Sequence, residues 1–163
     1  MESLERIESV KAFLEKAENS NNPNWMKDIS PYLSVVTYST SSPHPSITFG
    51  FTVQPIHCNQ FNSLHGGCAS TIFDACTTLV LHLISKPGFW QPPGVSRTLN
   101  VTYLRPVPVG TPTHIKCDLL HAGRRLCALR AEMRSVTEDG REGPILIVCE
   151  HNKASIDLPP EKL

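Results

Sequence analysis

A single acid, Asp74, lies inside an apolar run that extends over residues 66–85. Helical spacing places this acid on a stripe of small hydroxyl side chains, namely Ser70, Thr71, Thr77 and Thr78. A carboxylate in such surroundings can serve as a general base or as a nucleophile. The same spacing also fits a structural acid that bonds Ser70 or Thr78 and merely satisfies the interior.

Two glycines, Gly66 and Gly67, follow His65 at the predicted start of this helix. A helix N-terminus presents unpaired N–H groups and a positive dipole, and a glycine there lets a carbonyl oxygen approach closely. This arrangement suits a developing oxyanion, as in acyl transfer. The alternative is a tight turn into the helix that needs glycine for a positive φ angle.

The cysteines and histidines do not form a recognisable metal site. Six cysteines fall singly, without a Cys-x-x-Cys pair, and His57, Cys58 and His65 match no zinc spacing. We therefore expect reduced thiols, no disulfide framework and no bound metal.

The elements around the helix alternate as strands do. Ile47, Phe49, Phe51 and Val53 share one face of "PSITFGFTVQ", and Cys127, Leu129, Ala131 and Met133 share one face of "RLCALRAEMRSV". "PYLSVVTYST" precedes the first of these, and "GVSRTLNVTYLRP", "THIKCDLLHAG" and "PILIVCEHNKAS" complete a set of six. The N-terminal "MESLERIESVKAFLEKAE" has apolar residues at helical spacing, and a Pro/Asn/Ser-rich link follows it.

The predicted order is therefore helix, two strands, long apolar helix, four strands. A helix that is apolar nearly all round must be buried on most sides. A six-stranded antiparallel sheet wrapped around it achieves this, which is the hot-dog architecture, an α+β fold. We expect an N-terminal helix and linker over residues 1–30, the hot-dog domain over 31–155 and a tail over 156–163.

Charge and composition exclude several partners. Lys+Arg and Asp+Glu number 15 each, so no net field favours nucleic acid or an anionic membrane. Asp74 and His82 interrupt the apolar run, which argues against membrane insertion. The acidic N-terminus differs from a mitochondrial transit peptide, and "EKL" matches a peroxisomal signal at two positions only. We expect a soluble, cytoplasmic protein, with neither of those two compartments excluded.

The segments "NQFNSLHGGCASTIFDACTT", "GVSRTLNVTYLRP" and "HAGRRL" together resemble the PaaI-like hot-dog thioesterases. The resemblance covers residues 47–153. It implies an acyl-CoA thioesterase of fatty acid metabolism, which hydrolyses acyl-CoA to a free acid and CoA. No cofactor is implied, because coenzyme A is part of the substrate.

The resemblance also implies roles for individual residues. Asp74 matches the catalytic carboxylate, and Gly66 with Asn59 matches the group that polarises the thioester carbonyl. Ser96 matches a residue that places the attacking water, and His65 supports the turn. The matching CoA-binding residues are Thr98, Tyr103, Leu104, Arg105, Pro106, Gly123, Arg124 and Arg125.

Two features depart from the family pattern. Pro108 stands where relatives often have a basic residue. The basic residues near the matching segments are Arg97, Arg105, Arg124 and Arg125, whose donor forks suit phosphate, although two arginines in a hairpin also fit a solvated surface. The connection over residues 85–94 is long. Its Phe89 and Trp90 could cap an acyl pocket that includes Phe73, or they could cover the helix end.

Two other functions fit the same fold. A hydratase or dehydratase needs an Asp and a His poised together, and His82 is turned about 80° away from Asp74 on the helix. In a non-catalytic acyl-CoA-binding module, the Asp74 carboxylate would have no chemical role.

Helix geometry predicts a shared site. Gly66 and Asp74 are eight residues apart, hence separated by roughly 12 Å, too far to act on one carbonyl. A two-fold axis that sets Gly66 of one chain against Asp74 of another solves this. We expect a homodimer with shared active sites, and the resemblance implies a dimer of dimers, a homotetramer.

Overall fold

A computed structural model describes residues 2–19 and 24–157, with side chains from residue 4. The N-terminal helix α1 spans Glu2–Glu18, and the central helix α2 spans Gly66–Val80. The strands are β1 (Leu33–Ser39), β2 (Ser46–Thr52), β3 (Val95–Tyr103), β4 (Pro112–Ala122), β5 (Leu126–Val136) and β6 (Glu142–Ala154). This is the predicted order of elements. The predicted tail falls largely on residues 158–163, outside the described part of the chain.

All six strands form one antiparallel sheet in the order β1-β2-β4-β5-β6-β3. The sheet wraps α2, which contacts five of its strands. The hot-dog prediction is confirmed. Strand β3 follows α2 in the chain and pairs with β6 at the far edge of the sheet, so its other edge is open.

The core lies between α2 and the inner face of the sheet. The predicted inward residues of β2 and β5 are all buried, Ile47, Phe49, Phe51, Val53, Cys127, Leu129, Ala131 and Met133. Alternation along β2 and β5 decides this face because successive side chains point to opposite sides of a strand. Phe73 lies in the same core with no exposed surface.

Helix α1 packs against the short 3-10 turn Leu81–Leu83 that directly follows α2. Ile7, Val10 and Leu14 are buried, and they recur at helical spacing on one face. Ser9 Oγ lies 2.9 Å from Nδ1 of His82, in the short 3-10 turn Leu81–Leu83 after α2. Helix α1 is thereby held beside the turn that follows the central helix. None of the helices in the described residues is long and apolar enough to cross a membrane.

Candidate active site

The start of α2 is organised by His65, which is the N-cap residue. Its Nδ1 accepts a hydrogen bond of 3.0 Å from the Gly67 N–H. The first N–H groups of a helix have no partner within the helix, so the Gly66 N–H is the next donor that this turn can offer. An oxygen that develops negative charge would meet both this donor and the positive end of the helix dipole.

Both glycines at this start lie in tight space, and neither is needed for a positive φ angle. A Cβ on Gly66 would lie 3.3 Å from the Tyr103 hydroxyl, and a Cβ on Gly67 would lie 3.2 Å from the His65 ring. Neither glycine has positive φ. The alternative of a positive-φ turn is therefore wrong. Tyr103 instead comes close enough to donate a 2.7 Å hydrogen bond to the Gly66 carbonyl.

Asn59 lies in the loop before α2, and its side chain is already held. Its Oδ1 accepts hydrogen bonds from the N–H groups of Phe61, at 2.9 Å, and Ser63, at 3.3 Å. The amide NH₂ is the group that remains as a donor for a ligand. A cavity of about 450 Å³ joins Asn59 and Gly66 to Tyr103, Leu104, Arg105 and Pro106.

Asp74 lies in a different cavity, and its side chain is 48% exposed. The Ser96 hydroxyl donates a 2.8 Å hydrogen bond to Asp74 Oδ1, and Nε2 of His151 lies 3.3 Å from the same oxygen. The expectation that Asp74 bonds Ser70 or Thr78 is wrong: Ser70 donates to the Gly66 carbonyl, and Thr78 accepts from Lys153. The acid keeps contact with solvent and with the strands.

His151 completes a chain of polar groups behind Asp74, and the sequence interpretation missed it. Its Nε2 lies 2.9 Å from Ser96 Oγ, and its Nδ1 lies 2.7 Å from Thr77 Oγ1. Its side chain has no exposed surface. A neutral imidazole can donate from Nε2 to the Ser96 oxygen while Ser96 donates to Asp74, which fixes the direction of the Ser96 hydroxyl.

The electrostatics favour that neutral form. The pKa of His151 is lowered to about 4, mainly by burial and also by the nearby Lys153 ammonium, while the Asp74 carboxylate opposes the shift. Burial also lowers the pKa of Lys153, which donates a 2.9 Å hydrogen bond to Thr78. Both residues follow Ile147 and Cys149 on the buried face of β6. The alternation of buried residues along β6 is the sequence pattern from which His151 and Lys153 could have been predicted to face inward.

The buried position of His151 bears on the hydratase alternative. That chemistry needs an Asp and a His that both reach the substrate. His151 pairs with Asp74 but lies behind Ser96 without exposed surface, so it acts on Asp74 and not on a ligand.

The predicted residues fall into two groups at opposite ends of β3. Ser96, Thr98 and the hairpin Gly123–Arg125 lie at the end where Val95 and Leu126 both pair with Ala154, near Asp74. Asn59, Gly66 and the stretch from Tyr103 to Pro106 lie at the other end. The eight-residue spacing spans roughly 26 Å along β3, from Val95 to Tyr103, and roughly 12 Å along α2, from Gly66 to Asp74, and both are too long for the two groups to meet at one carbonyl within one chain.

The CoA-binding candidates are also engaged in the fold to different degrees. Thr98 accepts a 2.9 Å hydrogen bond from the Asn152 amide, and Arg105 donates to the Ile145 carbonyl at 2.7 Å. Arg97, Arg124 and Arg125 are exposed. Exposure fits a phosphate-binding role and a solvated surface equally.

Within one chain, Phe89 and Trp90 do not lie at the cavity that an acyl-pocket cap would close. Trp90, expected on an exposed loop, is only 1% exposed, and its indole N–H donates to the Gly123 carbonyl at 2.9 Å. Its backbone N–H donates to the Asp157 carboxylate at 2.6 Å. Neither Phe89 nor Trp90, nor the buried Phe73, lines the cavity that holds Asp74. The geometry favours the covering role for the loop.

Comparisons with known proteins agree with this fold. A family model described as Thioesterase superfamily matches residues 61–142. Acyl-coenzyme A thioesterase 13 of Mus musculus is 29% identical over 121 residues, 74% of this chain and 80% of that protein. The crystal structure of zebra fish thioesterase superfamily member 2 superposes with a TM-score of 0.72 at 22% identity, covering 90% of this chain and 96% of that one. The PaaI protein of E. coli gives a TM-score of 0.65 at 11% identity, covering 94% and 98%.

Proposed function

The chain belongs to the thioesterase superfamily and is a thioester hydrolase, and we propose that it hydrolyses acyl-CoA to a free acid and CoA with Asp74 as its catalytic carboxylate. The observation that carries the proposal is the half-exposed Asp74 carboxylate, oriented by Ser96 and His151 at the wall of a cavity. The named relative, acyl-coenzyme A thioesterase 13, supports acyl-CoA as the substrate class.

The proposed chemistry needs a base and an oxyanion site. Asp74 takes a proton from a water molecule that attacks the thioester carbon, or it attacks that carbon itself. The carbonyl oxygen gains negative charge, which the Gly66 N–H and the Asn59 amide stabilise. The C–S bond then breaks, and the CoA thiolate leaves and is protonated. When Asp74 is the nucleophile, this leaves the acyl group on Asp74 as a mixed anhydride, which a water molecule then hydrolyses to the free acid and the Asp74 carboxylate. This sequence consumes one water and requires no cofactor.

A shared site follows from the division of these groups between the ends of β3. We propose that two chains pair through the open edge of β3, antiparallel across a two-fold axis. The Asp74 end of one chain then meets the Gly66 end of the other, so that each thioester contacts both chains. Val95, Tyr103 and the adjoining Leu104 are each about half exposed along this edge, which an isolated chain would leave uncovered.

The test is a steady-state assay of free thiol release from a panel of acyl-CoAs. Release of stoichiometric thiol and acid supports the hydrolase. A change in enoyl absorbance without thiol release would indicate a hydratase, and binding without turnover would indicate a binding module. A single turnover in H₂¹⁸O tests the nucleophilic role: general-base catalysis always labels the acid, whereas water attack on the Asp74 carbonyl of a mixed anhydride places the label in Asp74 and leaves the first acid product without it.

A further inference from the structure

One wall of the cavity that holds Asp74 is formed by the N-terminal segment, here the described residues before β1, which precede the residues matched by the family model. Its volume is about 410 Å³. The segment contributes Phe13 from α1, together with Trp25 and Met26, and α2 contributes Ala75 and Leu79. Small-molecule sites in proteins commonly have about 300–1,000 Å³ and mostly apolar walls.

The position of Asp74 indicates which part of a substrate this cavity can take. Asp74 and Ser96 line one side, so a thioester carbon that reacts at Asp74 lies at the cavity wall. The acyl chain attached to that carbon can then extend between α2 and the N-terminal segment. The polar groups in the same lining are Thr71, Thr78, His82 and Lys153, and Lys153 is bound to Thr78.

Trp25 has an unusual position at this cavity. It is 79% exposed, and its indole N–H donates a 2.6 Å hydrogen bond to Thr71 Oγ1, three residues before Asp74 on α2. The Thr71 hydroxyl donates in turn to the Gly67 carbonyl at 3.0 Å, so its oxygen is oriented to accept. An exposed tryptophan held at one polar atom offers its large apolar surface to a ligand.

We propose that this cavity is the acyl-chain pocket and that Trp25 packs on the chain and sets the preferred chain length. The proposal rests on the proposed acyl-CoA hydrolysis, and it assigns specificity to a segment outside residues 61–142. If Trp25 instead bound a partner other than an acyl chain, its substitution would not change how hydrolysis at Asp74 depends on acyl chain length.

The first experiment compares kcat/KM for acetyl-, hexanoyl- and dodecanoyl-CoA in wild type, Trp25→Ala, Trp25→Phe and Leu4→Ala. Leu4 is the control, because it is 60% exposed on the same N-terminal segment but does not line the cavity. Contact with a methylene or two is worth about tenfold or more, so Trp25→Ala should lose at least that for dodecanoyl-CoA and little for acetyl-CoA. Trp25→Phe should retain most of the preference, and Leu4→Ala should match wild type.

The second experiment does not depend on turnover. Acrylamide quenching of tryptophan fluorescence reports mainly on Trp25, since Trp90 is buried, and the Trp25→Phe protein identifies its share. The thioether S-dodecyl-CoA, which cannot be hydrolysed, should protect Trp25 from acrylamide, whereas free CoA should not.

The outcomes separate this proposal from the proposed function. Hydrolysis with the same chain-length profile in Trp25→Ala would overturn the pocket and leave the hydrolase. Protection of Trp25 by S-dodecyl-CoA in a protein that hydrolyses no acyl-CoA would support the pocket and overturn the acyl-CoA hydrolase. If neither hydrolysis nor protection is seen, both proposals are wrong.

Discussion

The Ser96 hydroxyl on β3 donates a 2.8 Å hydrogen bond to Asp74 Oδ1 on α2, across 22 residues of chain. His151 supports this contact from behind, on β6. The carboxylate is therefore oriented by two strands and keeps its second oxygen for the substrate side of the cavity.

Asp74→Asn should reduce kcat by about a hundred- to ten-thousandfold, because an amide keeps the shape of the side chain but neither accepts a proton nor attacks a carbonyl. CoA binding, measured by calorimetry, and the unfolding transition should stay close to wild type. Retention of more than about a tenth of kcat would make Asp74 a structural acid.

Ser96→Ala should lower kcat by about ten- to a hundredfold with a small change in KM, since a hydrogen bond to a charged group contributes about 1.5–3 kcal/mol. Thr102→Val is the matched control, because Thr102 is an exposed hydroxyl residue on the same strand. Equal kcat values for the two variants would remove Ser96 from the orientation of Asp74.

His151 should make the free energy of unfolding fall as the pH is lowered from about 6.5 to about 4. Within that window the unfolded chain binds a proton at this histidine and the folded chain does not, so the folded state loses stability as the pH decreases. Burial lowers the pKa of His82 as well, with the same sign.

Urea titrations of wild type and His151→Gln across this range provide the measurement. The slope of the free energy of unfolding against pH should be smaller in His151→Gln, where His82 continues to contribute. The control His121→Gln, at an exposed site, should keep the wild-type slope. An identical slope in His151→Gln and wild type would show that His151 is not held neutral by the fold.

Subunit complementation tests the shared site. Asn59→Asp keeps an oxygen that can accept from Phe61 and Ser63 but loses the amide donor, and Asp74→Asn loses the base. Mixed dimers contain one intact site of two and form half of an equal mixture, so about a quarter of wild-type activity should return. If subunits demonstrably exchange and no activity returns, each site lies within one chain.

Trp90→Ala should destabilise the protein by about 3–5 kcal/mol, because it empties a buried site and leaves the Gly123 carbonyl without its indole donor. Phe89→Ala, at a partly buried ring, should cost less. Neither change should alter the ranking of acyl chain lengths. A shifted ranking in a folded variant would restore these residues to the acyl pocket.

The sequence by itself predicted the elements and their order, because the periods of 2 and 3.6 residues are local properties of the chain. These periods predicted that Ile47, Phe49 and Phe51 lie in the core and that α2 begins near Gly66, as the structure has them. The separation of Gly66 from Asp74 was also readable, since rise per residue on a helix needs no tertiary information.

The tertiary structure alone decided the surroundings of Asp74. His151 reaches it because β6 pairs with β3 in a register that sets Ser96 opposite Lys153 and Leu99 opposite His151. Trp90 is buried because Gly123 and Asp157, distant in sequence, supply its partners. Trp25 borders the same cavity as Asp74 because its indole N–H binds Thr71 on α2, 46 residues away in the chain. Such contacts depend on strand register and helix docking, which many residues determine jointly and no single motif encodes.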